Sequence, residues 1–377
     1  MSASSTPGTG DAAGESRDPG ACLYVPYLHA HFPSARAVAE AAMAFKAVSD
    51  GKSVAELWVS PGLLRVSVPL GTKQRTGGGP RGAIESWSRK SRSTMVRHLA
   101  TLDYSPWLEL TSDGWAVVMI TLTYPGSWQE LVPGSTIAVA HLRAFRARLT
   151  RALGQPPLAI WKREFQRRGA PHVHLLIALP LTIGDTSVYQ WVSRAWYEVV
   201  KSNDPRHLAA GTGIDWAEGR RAIDPVRVAR YFSGHAAPSG KSRKEYQNLA
   251  PNLWLENKDV GRFWGVWGLR SVKETASLTL QQLIEVRRIL RGIDRSRRRT
   301  RVVRVTRVNR KTGVIYFRRV RRRAVLGHLA SGRLVGASLF TSDGPAVANL
   351  LARYFETKTT PDVRVRSGIN KKGTSIE

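Results

Sequence analysis

Residues 170–179, Ala-Pro-His-Val-His-Leu-Leu-Ile-Ala-Leu, decide the fold of the chain around them. The apolar run that follows the histidines predicts a buried strand. Because successive side chains of a strand point to opposite faces, His172 and His174 are expected on one face, about 7 Å apart along the strand. Two such imidazoles can bind a metal ion together. Two ordinary histidines on a half-exposed strand give the same pattern.

A glutamate precedes the histidines at a distance that a hairpin bridges. Glu164 lies in the segment 159–166, which has the pattern of a strand, and the glycine, proline and arginines of 167–171 indicate a turn. If its parity matches, Glu164 joins the histidine pair on one face; otherwise it is a solvated hairpin charge. Two imidazoles and a carboxylate suit a divalent ion, Mg²⁺ or Mn²⁺, with positions left open for substrate oxygen.

Composition points to a polyanionic partner. The 377 residues include 58 Lys and Arg against 28 Asp and Glu, a formal charge of +30. Nucleic acid is the leading partner and an anionic membrane surface the alternative, although no apolar run is long enough to cross a membrane. The single cysteine, Cys22, excludes an internal disulfide framework and a cysteine-based zinc site. With no signal-peptide pattern over residues 1–19, we expect a cytoplasmic protein.

The periodicity from residue 115 onward predicts an α+β fold, an antiparallel sheet covered by helices. The predicted elements are a strand near 115–123, a helix over 137–153, a hairpin over 158–179, a helix over 185–200, a short strand over 213–217 and a helix over 226–235. Upstream we predict a helix within 33–48, strands and turns over 54–70, a basic helix over 84–102 and a connection over 103–112.

Two basic segments lie outside this sheet. One is the helix over 84–102; the other is a hairpin of 301–308 and 314–321, with arginines expected to recur on one face. A solvated charged surface is the plain interpretation of both. Stacked like charges repel without a counter-anion, so we favour contact with the DNA backbone. The residues predicted to bind DNA are Arg89, Lys90, Arg92, Arg301, Arg304, Arg307, Arg318 and Arg319.

The motifs together resemble the HUH endonuclease superfamily, in particular rolling-circle replication initiators of plasmid and phage type. Thr-Leu-Thr at 121–123 resembles the first motif of that family, and Pro-His-Val-His-Leu-Leu at 171–176 the second. Arg-Tyr-Phe-Ser-Gly-His at 230–235, with Lys-Glu-Tyr-Gln-Asn at 244–248 beyond it, resembles the nucleophile region. The resemblance covers roughly residues 110 to 270.

The resemblance implies a metal held by His172, His174 and Glu164, and a tyrosine that attacks single-stranded origin DNA. The tyrosine would keep the cut strand as a 5′-phosphotyrosine link, free a 3′ hydroxyl that primes replication, and later rejoin strands. Tyr231 is the first choice of nucleophile and Tyr246 the second. Many members carry a lysine three or four residues after the tyrosine. Here glycine and histidine stand there, and the cation is expected from His235, Lys241 or Lys244.

The implied domain order places an HUH endonuclease domain, with an RRM-like core, at 111–275. A disordered N-terminus (1–20) and a basic region with possible DNA-binding (21–110) precede it; a basic DNA-binding region (276–355) and a flexible tail (356–377) follow. Gly-Lys-Ser at 240–242 departs from a P-loop in glycine spacing and follows no apolar strand, so we predict no helicase activity and a host helicase as partner.

Two other functions stay open. A transposase or conjugative relaxase of the same superfamily is one, but relaxases usually take a third histidine ligand and carry an N-terminal tyrosine, and neither pattern is present. A basic DNA-binding regulator without chemistry is the other, and a covalent protein–DNA adduct would distinguish it from an enzyme.

Overall fold

The computed structural model describes residues 31–49, 51–68, 84–222, 224–234, 245–296, 300–309, 312–323 and 336–359. The helices are α1 (Ala35–Ala47), α2 (Arg89–Leu99), α3 (Ser105–Ser112), α4 (Trp128–Leu131), α5 (Ser135–Leu153), α6 (Val188–Val200), α7 (Pro205–Ala210), α8 (Trp216–Arg220), α9 (Pro225–Gly234), α10 (Asn252–Glu256), α11 (Leu280–Ser296) and α12 (Gly344–Thr359). The strands are β1 (Ala55–Ser60), β2 (Leu63–Ser67), β3 (Ala116–Thr123), β4 (Ala159–Phe165), β5 (Pro171–Leu179), β6 (Thr182–Ile183), β7 (Thr186–Ser187), β8 (Thr212–Asp215), β9 (Trp264–Trp267), β10 (Glu274–Leu278), β11 (Thr300–Val308), β12 (Ile315–Arg323) and β13 (Gly336–Phe340).

Antiparallel sheets covered by helices confirm the predicted α+β class. The larger sheet has the strand order β8-β3-β5-β4-β9. Strand β5 is central, which fits its apolar run, because a central strand is buried on both faces. Leu175, Leu176 and Ile177 are all buried. The predicted strand near 115–123, the hairpin over 158–179 and the helices that follow are therefore confirmed.

The turn between β4 and β5 sets the register of the whole site. The Gly169 amide donates to the Gln166 carbonyl at 2.9 Å, and Gly169 has φ +83°, a conformation that favours glycine. Strand pairing therefore starts at Phe165 and Pro171, and the next pair is Glu164 with His172. Directly opposed residues of an antiparallel pair share a face, so the parity that the sequence left open places Glu164 beside the histidines.

Helices lie on both faces of this sheet. On one face the Arg163 guanidinium donates to the Ser135 hydroxyl at 2.9 Å, at the start of α5. On the other, Trp264, which is paired with Lys162, donates to the Ser91 hydroxyl of α2 at 3.4 Å. Helix α9 packs against α2. We call this second side the histidine face; across β4 and β5 it carries Lys162, Glu164, His172 and His174.

A second sheet has the order β10-β1-β2-β13 and its own buried core. Its strands come from residues 55–67, 274–278 and 336–340, and helices α1, α11 and α12 cover it. The predicted regions 21–110 and 276–355 thus share this core, while Trp87 and Trp107 of the former lie in the core of the larger sheet. The boundaries at 110 and 275 stay predictions.

Three expectations need correction. Helix α2 begins at Arg89, not 84, because the Ser88 hydroxyl caps it. The predicted connection over 103–112 is helix α3, with a proline in its first turn. The hairpin of β11 and β12 is confirmed, but its arginines do not keep to one face. Arg307 is paired with Tyr316, which is three residues from Arg319 along β12, so the two arginines lie on opposite faces.

Residues 1–20 and 360–377, which belong to the predicted disordered N-terminus and flexible tail, lie outside the described residues. No helix of the described part is long and apolar enough to span a bilayer.

Candidate active site

Strands β4 and β5 bring the three predicted metal ligands together. The rings of His172 and His174 lie with their centroids 4.4 Å apart, and both side chains are half-buried. Glu164 pairs directly with His172 in the strand register. Nε2 of His174 lies 3.5 Å from Oε2 of Glu164. The arrangement of these three residues is therefore set by strand register.

The Nδ1 atoms of both histidines have partners in neighbouring motifs. The Thr121 hydroxyl of β3 lies 3.2 Å from Nδ1 of His174, and the Gln166 amide lies 3.4 Å from Nδ1 of His172. Contacts of this kind orient an imidazole and favour ligation through the other nitrogen. Thr121, from the Thr-Leu-Thr motif, is thus a supporting residue that β3–β5 pairing carries to the histidine face.

Lys162 is the site residue that sequence reasoning missed. Its ammonium donates to Oε1 of Glu164, and both side chains are 2% exposed. The ammonium also lies 4.6 Å from the centre of the Trp87 ring. The available signal was parity, since Lys162 is two residues before Glu164 and so shares its face. Lysine is rarely fully buried unless it is paired, and nothing in the local sequence indicated the pairing.

The charges of the site are displaced from their ordinary pKa values. Burial opposes ionisation of Glu164, but the contacts with His174 and Lys162 outweigh it and lower the pKa of Glu164 to about 2. Burial, reinforced by His174 and opposed by Glu164, lowers the pKa of His172 to about 4. At neutral pH the site therefore holds a carboxylate and a neutral His172, the forms that bind metal ions.

The donor set fits a divalent ion in chemistry. Oε2 of Glu164 is buried and has no hydrogen-bond partner, and it faces His174. Two ligands at about 2.1 Å from an octahedral Mg²⁺ are about 3 Å apart, close to the separation of 3.5 Å seen here. In the described residues no group of three or more His, Cys, Asp or Glu side chains already has the geometry of a metal site. Small side-chain rotations would be needed for all three ligands to converge.

Tyr231 lies half-buried on α9, the helix that covers α2. Burial raises the pKa of Tyr231 above its ordinary value, and the carboxylates of Glu218, Glu164 and Asp215 add to the effect. A charge influences a pKa in this way only over a short distance. Helix α9 therefore brings Tyr231 into electrostatic range of Glu164.

Tyr246 occupies a different position. It lies in a 3-10 turn, Glu245–Asn248, that packs against β4, and its ring centre is 5.8 Å from the Arg167 guanidinium. Arg167 belongs to the β4–β5 turn, so Tyr246 lies near that end of the hairpin. His235, Lys241 and Lys244, predicted to supply a cation, lie outside the described residues.

The predicted DNA-binding residues divide between two elements. On α2, Lys90 is exposed, whereas Arg92 donates to the Trp87 carbonyl at 2.8 Å. On the β11–β12 hairpin, Arg307 and Arg319 are exposed. The structure describes only the backbone of the remaining four, Arg89, Arg301, Arg304 and Arg318.

Comparison with known proteins gives a consistent result. The chain is similar to two proteins of Xylella fastidiosa, each described as a putative replication protein: 29% identical over 206 residues for strain 9a5c and 30% over 190 residues for strain Temecula1. It is 25% identical over 218 residues to a replication-associated protein of Pseudomonas phage Pf3. These matches cover 54%, 50% and 56% of this chain and 63%, 63% and 69% of the relatives. No solved structure gives a significant match.

The chain thus covers less than two thirds of each Xylella protein. Residues 117–235 match the family model of the replication-associated protein ORF2/gene 2 protein. That segment starts within β3, includes the whole β4–β5 hairpin and extends to the end of α9. It therefore contains all four residues of the principal candidate site: Glu164, His172, His174 and Tyr231. The predicted resemblance to rolling-circle replication initiators is confirmed, and the matched segment is a replication-associated region of the ORF2 type.

Proposed function

We propose that this protein nicks single-stranded origin DNA by a metal-assisted tyrosine transesterification and rejoins strands during rolling-circle replication. The observation that carries the proposal is the register of β4 and β5, which places Glu164 directly opposite His172 with His174 on the same face. The relatives named as replication proteins support the biological role. The net charge of +30 supports DNA as the partner.

His172, His174 and Glu164 would hold a Mg²⁺ or Mn²⁺ ion, which would supply charge stabilisation to the scissile phosphate. Lys162 would keep one carboxylate oxygen of Glu164 occupied and leave the other turned toward His174. Thr121 would fix the ring of His174 through Nδ1. The residues of this face then act as ligands and as the supports that orient them.

Tyr231 would be the nucleophile. Its pKa is raised, so the phenol is protonated at neutral pH and its proton must leave as the oxygen attacks. The oxygen–phosphorus bond forms, the bond from phosphorus to the 3′ oxygen breaks, and that oxygen takes up a proton to become a 3′ hydroxyl. Tyr231 keeps the 5′ phosphate as a diester. Attack by a 3′ hydroxyl on this ester reverses the reaction and rejoins the strand.

The test is a search for the covalent adduct. The protein is incubated with Mn²⁺ and a pool of single-stranded oligonucleotides of random sequence, labelled in separate preparations at the 5′ or the 3′ end. A 5′-phosphotyrosine link retains the 3′ label on denatured protein and releases the 5′ label with a free 3′ hydroxyl. Sequencing of the retained strands then identifies the cleaved site.

The outcomes separate the candidate functions. Retention of the 3′ label, lost when the metal is chelated, supports the proposal. Retention of the 5′ label instead would mean the opposite polarity of attack. Tight binding of the pool without any adduct, over a range of Mn²⁺ and Mg²⁺ concentrations, would favour the non-catalytic DNA-binding regulator.

A further inference from the structure

Strands β11 and β12 form a two-stranded ribbon that no other described strand extends. They pair over nine residues each, from Thr300 opposite Arg323 to Val308 opposite Ile315. Residues 300–323 contain ten arginines and lysines and no acidic residue. A nine-residue strand is about 30 Å long, comparable to the rise of about nine base pairs of duplex DNA.

The register distributes this charge over both faces of the ribbon. Arg307 shares a face with its partner Tyr316, whereas Arg319 lies on the other face, and both arginines are exposed. A ribbon that lay on a flat anionic surface would need its charge on one side only. Charge on both faces suits an element with phosphates on both sides, as in a groove of duplex DNA.

The turn end of the ribbon is apolar and exposed. Five side chains there are 46–63% exposed in a chain that is otherwise strongly charged, namely Val308, Val314, Ile315, Tyr316 and Phe317. Exposed apolar clusters of this kind mark interaction sites. Aromatic side chains beside arginines can stack on unpaired bases of any sequence.

We infer that the ribbon binds the junction between duplex and single-stranded DNA. Its arginines contact the phosphates on both walls of the groove, which is wide enough for a two-stranded ribbon. Tyr316 and Phe317 at its end stack on the first unpaired base beyond the duplex. This inference rests on the proposed function, because a protein that nicks a single strand within duplex DNA must work at such a junction.

The experiment measures binding alone, with no divalent ion present, in full-length protein carrying Tyr231→Phe. The probes are a blunt 30-base-pair duplex, a 30-nucleotide single strand and a fork with 2-aminopurine as its first unpaired base. Affinity is measured by fluorescence anisotropy between 50 and 300 mM NaCl. Because no cleavage is possible, failure of the nicking proposal leaves these results interpretable, and the reverse also holds.

Two ribbon variants and one control are compared. Arg307→Ala/Arg319→Ala removes two exposed charges and should reduce the slope of log affinity against log salt by about 1.8, at about 0.9 for each phosphate contact, on both duplex and fork. The control removes two exposed arginines elsewhere, Arg206→Ala/Arg353→Ala, and should leave the slope unchanged. An unchanged slope in the ribbon variant, or an equal change in the control, overturns the inference.

The apolar end is tested separately. Tyr316→Ser/Phe317→Ser should keep the salt slope but lose about tenfold in preference for the fork over the blunt duplex, the value of one base–aromatic stack. The 2-aminopurine signal that reports stacking should be lost with it. If the preference survives and sedimentation shows that this variant has lost self-association, the apolar end binds a second copy of the chain and the junction assignment is wrong.

Discussion

Replacement of Lys162 by methionine tests the buried charge pair on which the histidine face depends. Methionine keeps most of the side-chain length but removes the ammonium that donates to Glu164. Both side chains are 2% exposed, so water cannot replace the lost partner. Breaking a buried pair on one side costs about 3–5 kcal/mol, because the remaining charge stays desolvated. That is a large part of the roughly 5–15 kcal/mol that typically separates folded from unfolded protein.

The assay is urea unfolding followed by near-ultraviolet circular dichroism at pH 7. We expect the Lys162→Met midpoint to fall by about 1 M or more, for a slope of about 2–3 kcal/mol per M. Lys162→Met/Glu164→Leu should recover most of the loss, because replacing both members of a buried pair by apolar groups is often neutral. Lys46→Met, at an exposed position in α1, is the matched control and should change the midpoint little.

The dependence on pH follows from the pKa of Glu164. Its folded value of about 2 lies below its ordinary value of 4.5, so it contributes stability above pH 4.5 that is lost as pH falls toward 2. Without Lys162, burial dominates and raises this pKa. The difference between wild type and Lys162→Met should therefore be largest at neutral pH and shrink as Glu164 becomes protonated in the variant. A loss under about 1 kcal/mol at pH 7, or a double variant no more stable than the single one, would refute a buried, charged pair.

Three further outcomes concern the site. His172→Ala/His174→Ala should abolish adduct formation and Mn²⁺ binding, measured by electron paramagnetic resonance, while DNA affinity stays within about twofold because it depends on distributed arginines and lysines; retained nicking would exclude a histidine-bound metal. Glu164→Gln keeps the shape of the side chain but should weaken Mn²⁺ binding by about tenfold or more, and an unchanged titration would remove Glu164 from the ligand set. Tyr231→Phe should bind DNA normally and form no adduct, with Tyr246→Phe as its parallel; loss of the adduct only in the latter would reassign the nucleophile.

Sequence reasoning was strongest where a pattern is local. The alternation around His172 and His174 and the apolar run after them specify a strand, and the glycine of the preceding turn permits the hairpin. The relation between Glu164 and His172 was open, because a turn longer or shorter by one residue would move the glutamate to the other face. Only the five-residue connection from Gln166 to Ala170 decides it.

The second core could not be predicted from local pattern. Strand β10 pairs with β1 and strand β13 with β2, across more than two hundred residues of sequence. Nothing in a short strand specifies so distant a partner; only the combined burial of apolar faces selects it. The ribbon shows the converse error, because arginines spaced by three look regular in sequence, whereas positions an odd number of residues apart alternate between the faces of a strand.

The charges of the histidine face suggest why a lysine is buried there. With His172 neutral, the ammonium of Lys162 and the carboxylate of Glu164 cancel. A divalent ion bound to this face would therefore carry its full charge of +2 into a site of low polarity, instead of being partly neutralised by the carboxylate. A phosphodiester is the natural counter-ion, and the attraction is stronger in such a site than in water. On this argument Lys162 favours the bound state of the phosphate as well as the orientation of Glu164, so its loss should weaken DNA binding more in the presence of Mn²⁺ than in its absence.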